Sequence, residues 1–114
     1  KIQSIPKIDF RMNKFLYGLV RRVKGPISSG VHLMDIQIEN TSLEKIDLSK
    51  LQVKLVQGRS ALIGQTYAID QTELLPKQKA RVRIVFKSED RGDLLLFLKW
   101  NEIESRVAIP GRLL

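Results

Sequence analysis

One histidine, His32, and no cysteine occur in 114 residues, so the side chains most used as neutral-pH bases, thiolate nucleophiles and soft metal ligands are nearly missing. His32 shares a strand face with Met34 and Ile36, the setting of a packed ring rather than of a base or ligand. Two carboxylate pairs, Glu102 with Glu104 and Glu89 with Asp90, have the residue types for acid and base work. The first pair flanks Ile103 on a strand and points outward; the second falls in a polar turn before Gly92. Both read as solvated surface. The seven glycines are scattered, and none belongs to a strand–loop–helix phosphate cradle. The expectation is no enzyme, no catalytic residue, no metal site and no cofactor.

A different chemistry is offered by Lys77, Lys79, Arg81, Arg83 and Lys87. At alternate positions of one strand they project from the face opposite Val82, Ile84 and Phe86, about 7 Å apart over most of the row. Such a ribbon of positive charge can track an anionic polymer or a lipid surface. The simpler and preferred reading makes it a soluble outer face that keeps an edge strand from pairing with another chain. Nucleic acid is the weaker partner, because none of the seven aromatic residues interleaves with the row to stack bases. The net charge of +8 and a pI near 10.1 favour anionic partners without choosing among them.

The elements that must hold these residues are strands. Met34, Ile36 and Ile38 alternate with Asp35, Gln37 and Glu39, and Val31 and Leu33 are out of phase with them, which predicts a bulge near Met34. Leu51, Val53 and Leu55 repeat the pattern up to a turn at Gln57-Gly58-Arg59-Ser60, and Ile63, Tyr67 and Ile69 form the next row, with Gly64 at a bend. Val82, Ile84 and Phe86 follow a proline turn, and Ser88 to Gly92 is a polar turn. Leu94, Leu96, Leu98 and Trp100 share one face while Leu95 and Phe97 make the other apolar, predicting a central strand covered on both sides. Trp100 is expected to anchor the core. Ile103, Val107 and Ile109 close the set before Pro110-Gly111.

The amino-terminal segment has two readings. Met12, Phe15, Leu16, Leu19, Val20 and Val23 fit one helical face ending at Gly25-Pro26. Phe15, Tyr17, Leu19 and Val23 also alternate as a strand, Gly18 weakens a helix, and a turn at 24–30 would make a hairpin with the next strand. Strand is preferred over 15–23. Asn40-Thr41-Ser42 matches the N-glycosylation acceptor pattern, although a turn rich in such residues needs no further reason.

Strands at this spacing, joined by short turns without intervening helices, predict an all-β antiparallel sandwich or barrel rather than a parallel α/β sheet, with residues 1–114 as one domain. The longest apolar run, Leu94 to Leu98, is five residues, so no transmembrane segment is expected. The first residue is Lys1 rather than methionine, and an upstream signal peptide or lipoprotein leader is one expectation.

The strand VHLMDIQIENTS, a short polar turn, then IDLSKLQVKL, GRSALIGQ, the proline turn LLPKQKARVRIVF and the final RVAIPG resemble the late-embryogenesis-abundant type 2 family, the water-stress and hypersensitive-response domain. Related immunoglobulin-like domains of bacterial envelope proteins share this rhythm. The resemblance covers residues 6 to 111, with Asn40-Thr41-Ser42 where the family has Asn-Pro-Asn. It implies an immunoglobulin-like antiparallel β-sandwich of 7–8 strands, a strand over 15–23 and a non-enzymatic role. Together with the strand pattern and the missing chemistry, the expectation is a non-catalytic binding or structural module, extracytoplasmic, either periplasmic or membrane-anchored through a removed upstream segment. Its expected partner is a protein or an anionic envelope component.

Overall fold

The computed structural model describes residues 8–28, 30–58, 60–61, 65–88 and 92–111. Among them every regular element is a strand: β1 Ile8–Met12, β2 Leu16–Ser28, β3 Val31–Asn40, β4 Ile46–Asp47, β5 Gln52–Gln57, β6 Ser60–Ala61, β7 Thr66–Ile69, β8 Glu73–Leu74, β9 Lys79–Lys87, β10 Leu94–Trp100 and β11 Ile103–Ile109. Eight of these are four residues or longer, in keeping with the expected seven or eight; β4, β6 and β8 are two-residue pairings. All pairings are antiparallel, in a five-stranded sheet ordered β1-β2-β3-β9-β7, a four-stranded sheet ordered β11-β10-β5-β6 and the small pair β4-β8. The protein is an immunoglobulin-like antiparallel sandwich.

Period-two alternation gives each sheet one apolar face, and the two faces bury each other. Val20, Met34, Ile36, Ile38, Val82, Ile84 and Phe86 from the larger sheet are buried with Leu55, Leu94, Leu96, Leu98, Val107 and Ile109 from the smaller. Each such side chain contributes about 1.5–3 kcal/mol relative to exposure. Along one seam β1 approaches β11, and the Ser105 hydroxyl donates to the Arg11 carbonyl at 2.7 Å.

The amino-terminal segment is strand, not helix. Val20 and Val23, three residues apart and so helix-like in spacing, are both buried because β2 carries a bulge between them: Val20 lies opposite Ile36 and Arg22 opposite Asp35. The bulge expected in β3 near Met34 is therefore on its partner. β3 alternates without interruption, paired to β9 in unbroken register, with Val31 and Leu33 on the outer face. β1 also explains Gly18. The Phe10 ring lies across that glycine, its directly opposite partner, where any Cβ would fall inside the ring. Gly18→Ala should therefore lower stability by about 1–3 kcal/mol in urea unfolding. Phe10→Leu should recover part of the loss in a double-mutant cycle; an unchanged midpoint in Gly18→Ala would refute the packing account.

Two further expectations change. β10 is central in its sheet but covered on one face only: Leu95 and Phe97 stand half-buried on the outer side, where the Arg106 guanidinium lies 5.3 Å from the Phe97 ring centroid. Glu102 lies in the turn before β11 rather than on the strand with Glu104, which pairs with Arg106 at 3.2 Å. The readings of Arg59, Ile63, Gly64, Glu89 and Asp90 lie outside the described residues.

Candidate functional site

The basic row falls on the outer face of the five-stranded sheet. Lys79, Arg81, Arg83 and Lys87 project there from β9, opposite Glu39, Gln37, Asp35 and Val31 of β3, and the exposed Val85 interrupts them. Lys77 is not on the ribbon. It sits in the preceding turn at φ 70°, its N–H donating to the Asn40 carbonyl at 2.8 Å. Nor is β9 an edge strand: β3 flanks it on one side and β7 pairs with Val82 to Val85 on the other, so guarding a free edge does not account for these charges.

The structure adds two residues that the row lacked. The bulge in β2 turns both Arg21 and Arg22 outward, and they join Arg81, Arg83, Leu33 and Asp35 around a groove of about 250 Å³. Register makes the centre of this site: Arg22, Asp35 and Arg83 are direct neighbours across three adjacent strands. Four arginines and one carboxylate line the groove, a local excess of three positive charges. Among the described residues none of the four forms an ion pair, and the Asp35 Oδ1 is buried without a hydrogen-bond partner. Arg21 reaches Gln37 Oε1 at 3.5 Å. Planar guanidiniums converging from two strands suit bidentate capture of a phosphate or carboxylate. The sequence carried one sign of this: two adjacent polar residues between Val20 and Val23 break the alternation that a flat strand would keep.

The other motifs resolve into structure. His32 is buried and stacks on Phe86 with centroids 5.3 Å apart, its Nδ1 2.9 Å from the Gly30 carbonyl oxygen. Asn40 is fully buried, and its Nδ2 donates to the carbonyls of Glu44 and Leu74, both at 2.8 Å. A glycan on that nitrogen is incompatible with this fold. Among the described residues no cluster of three or more His, Cys, Asp or Glu could hold a metal ion, and no helix is long and apolar enough to cross a membrane.

At one end of the sandwich lies a second concavity, about 450 Å³, lined by Phe15, Ser42, Glu44, Lys45, Ile46, Asp47, Ser49, Lys50, Trp100 and Asn101. Trp100 does pack against the core, and its Nε1 donates to the Asp47 carbonyl at 2.8 Å. The Ser49 N–H donates to Asp47 Oδ1 at 2.9 Å, and that bond, with the Ser49 hydroxyl and the Lys45 and Lys50 charges, holds the Asp47 carboxyl below its ordinary range. Asp47 should titrate below the usual value of about 3.9 by carbonyl NMR. Since its folded pKa is depressed, its stabilising contribution is complete above the unfolded value and lost as pH falls through the folded one. A midpoint at or above the ordinary value would contradict the Ser49 contact.

No family model matches the chain, and no curated protein matches it. Solved structures do. A candidate lipoprotein from Bacillus subtilis aligns with a TM-score of 0.69 at 10% identity, over 95% of this chain and 40% of that one. An uncharacterised β-sandwich protein from Clostridium difficile gives 0.53 at 10% identity, over 90% of each chain. The archaellum periplasmic stator protein FlaG of Sulfolobus acidocaldarius gives 0.54 at 10% identity, over 78% of this chain and 92% of that one. The likeness is one of fold. This chain spans 40% of the length of the Bacillus protein.

Proposed function

We propose that the protein is a non-catalytic binding module of the cell envelope, carried outside the cytoplasm, that holds an anionic envelope component in the groove of Arg21, Arg22, Arg81 and Arg83. The observation that carries this reading is that four arginines, free of ion pairs among the described residues, line one concave site across three adjacent strands, β2, β3 and β9. Surface arginines kept only for solubility have no need of a bulge that aims two of them at two others. The envelope part rests on analogy with the lipoprotein and periplasmic neighbours, and on the resemblance to late-embryogenesis-abundant type 2 and related envelope domains.

Nucleic acid fits the same charge less well. On this face the aromatic ring among the described residues is Tyr17, and the Arg11 guanidinium already lies 5.4 Å from its centroid. The test is flotation with phosphatidylglycerol vesicles and, in parallel, with phosphatidylcholine vesicles. Binding should be confined to the anionic lipid and fall at least about 10-fold between roughly 50 and 200 mM salt, as screening shortens the reach of the charges. Absence of binding at low salt would end the proposal, and tighter capture of single-stranded DNA than of lipid would transfer it to nucleic acid.

A further inference from the structure

We propose that the cleft at the β4 end of the sandwich binds a neutral saccharide chain. This site stands apart from the arginine groove and does not rest on the reading given for it. Four separate turns build the cleft: the one carrying Phe15, residues 41–45, the Ser49-Lys50 turn and the turn at Trp100-Asn101. Phe15 and Trp100 are both partly buried, packing on the core with one part of the ring while another lines the cleft. The indole is held before any ligand arrives, because its N–H is committed to the Asp47 carbonyl at 2.8 Å. Its contribution to the cleft is therefore ring surface, the apolar platform on which the C–H face of a pyranose stacks.

The polar lining fits hydroxyl groups better than it fits ions. It offers two ammonium groups, Lys45 and Lys50, two carboxylates, Glu44 and Asp47, and the neutral Ser42, Ser49 and Asn101. The charges cancel in number, in a chain whose net charge is +8. Part of the charge is also met locally, since Lys45 pairs with Glu73 at 3.5 Å and Asp47 accepts from the Ser49 N–H. An anion gains more in the arginine groove. A sugar hydroxyl both donates and accepts, so it can use carboxylate, amide, hydroxyl and ammonium partners side by side. At about 450 Å³ the cleft is within the size range of small-ligand sites.

Trp100 is the sole tryptophan, so its emission reports occupancy of this cleft directly. The full chain is titrated with chitohexaose and with cellohexaose. At least one should give a saturable emission change with a Kd of about 0.1–1 mM, insensitive to about 0.5 M salt because no net charge is involved. Two variants keep the fold while removing a contact. Asn101→Gly is unstrained at φ 55°, and Phe15→Leu preserves apolar packing. Each should weaken binding about 5-fold or more by ligand-observed NMR, a loss of one hydrogen bond or one stacking face. No saturable response to either saccharide up to about 10 mM would overturn the site, as would a response that both variants leave intact. Leu43, 94% exposed in the adjoining turn, supplies the remaining control. Emission that shifts with protein concentration alone, and ceases to do so in Leu43→Ser, would give the cleft to a second copy of the chain instead.

Discussion

Asn40→Ala should lower the unfolding free energy by about 3–4 kcal/mol, the largest loss expected from any polar substitution outside the apolar core. The side chain is fully buried at the end of β3 and makes four hydrogen bonds: Nδ2 donates to the Glu44 and Leu74 carbonyls, and Oδ1 accepts from the Ser42 N–H at 2.8 Å and the Ser42 hydroxyl at 2.7 Å. Its backbone adds two more, donating to the Gln78 carbonyl and accepting from the Lys77 N–H. One residue thus ties together the turn after β3, the β4-β8 pair and the turn before β9. Truncation leaves the Leu74 carbonyl without its side-chain donor in a buried place, and unpaired buried groups cost about 1–3 kcal/mol each. A melting temperature lower by on the order of 10–15 °C is expected. Asn40→Asp is the sharper probe. At neutral pH its carboxylate would face two carbonyl oxygens and should destabilise the fold comparably; protonation restores one donor, so the deficit should shrink as pH falls. A change within about 1 kcal/mol for Asn40→Ala would show that water replaces the network.

That residue also marks where sequence reading reaches its limit. The alternation of β3, β5, β9 and β11 is visible because each has one wet face and one dry face, and it carries the sandwich with it. β1 alternates equally well, Ile8, Phe10 and Met12 against Asp9 and Arg11, yet Met12 also fits the helical stripe that competes for the segment after it. Periodicity alone does not decide between a helix and a bulged strand, because a bulge and a helical turn both put apolar residues three apart, as at Val20 and Val23. What decided it was tertiary: a long hairpin with β3, and a glycine under the Phe10 ring. Asn40 reads as a turn residue from sequence, and only the fold shows its amide buried between carbonyls 4 and 34 residues away.

The candidate site divides in the same way. Arg81 and Arg83 are legible because they sit two apart on one strand, whereas Arg22 joins them only through the register of β2 against β3 and of β3 against β9. Lys77 belongs to the row by parity and to a left-handed turn in fact. The outer faces of neighbouring strands are long-range neighbours, so charge convergence across them depends on pairings that a single sequence leaves open.

If the groove rather than the row binds the anion, Arg22→Glu should weaken capture of phosphatidylglycerol vesicles as much as Arg83→Glu does, about 10-fold each and about 100-fold together, since each removes a charge-assisted hydrogen bond and adds a like charge. Lys77→Glu and Lys87→Glu carry the same charge change at the ends of the predicted row but away from the groove, and should cost only about 2–3-fold each at physiological salt. Asp35→Asn should act in the opposite direction. Its carboxylate is the one negative group among the four arginines, and neutralising it should raise affinity about 5-fold while leaving the outer face of β3 unchanged in shape. Circular dichroism of each variant checks the fold. Equal losses at Lys77, Lys87, Arg22 and Arg83 would mean that net charge alone governs the contact. A loss on Asp35→Asn would mean that the carboxylate itself meets the ligand, assigning its unpartnered oxygen to a donor on the bound molecule.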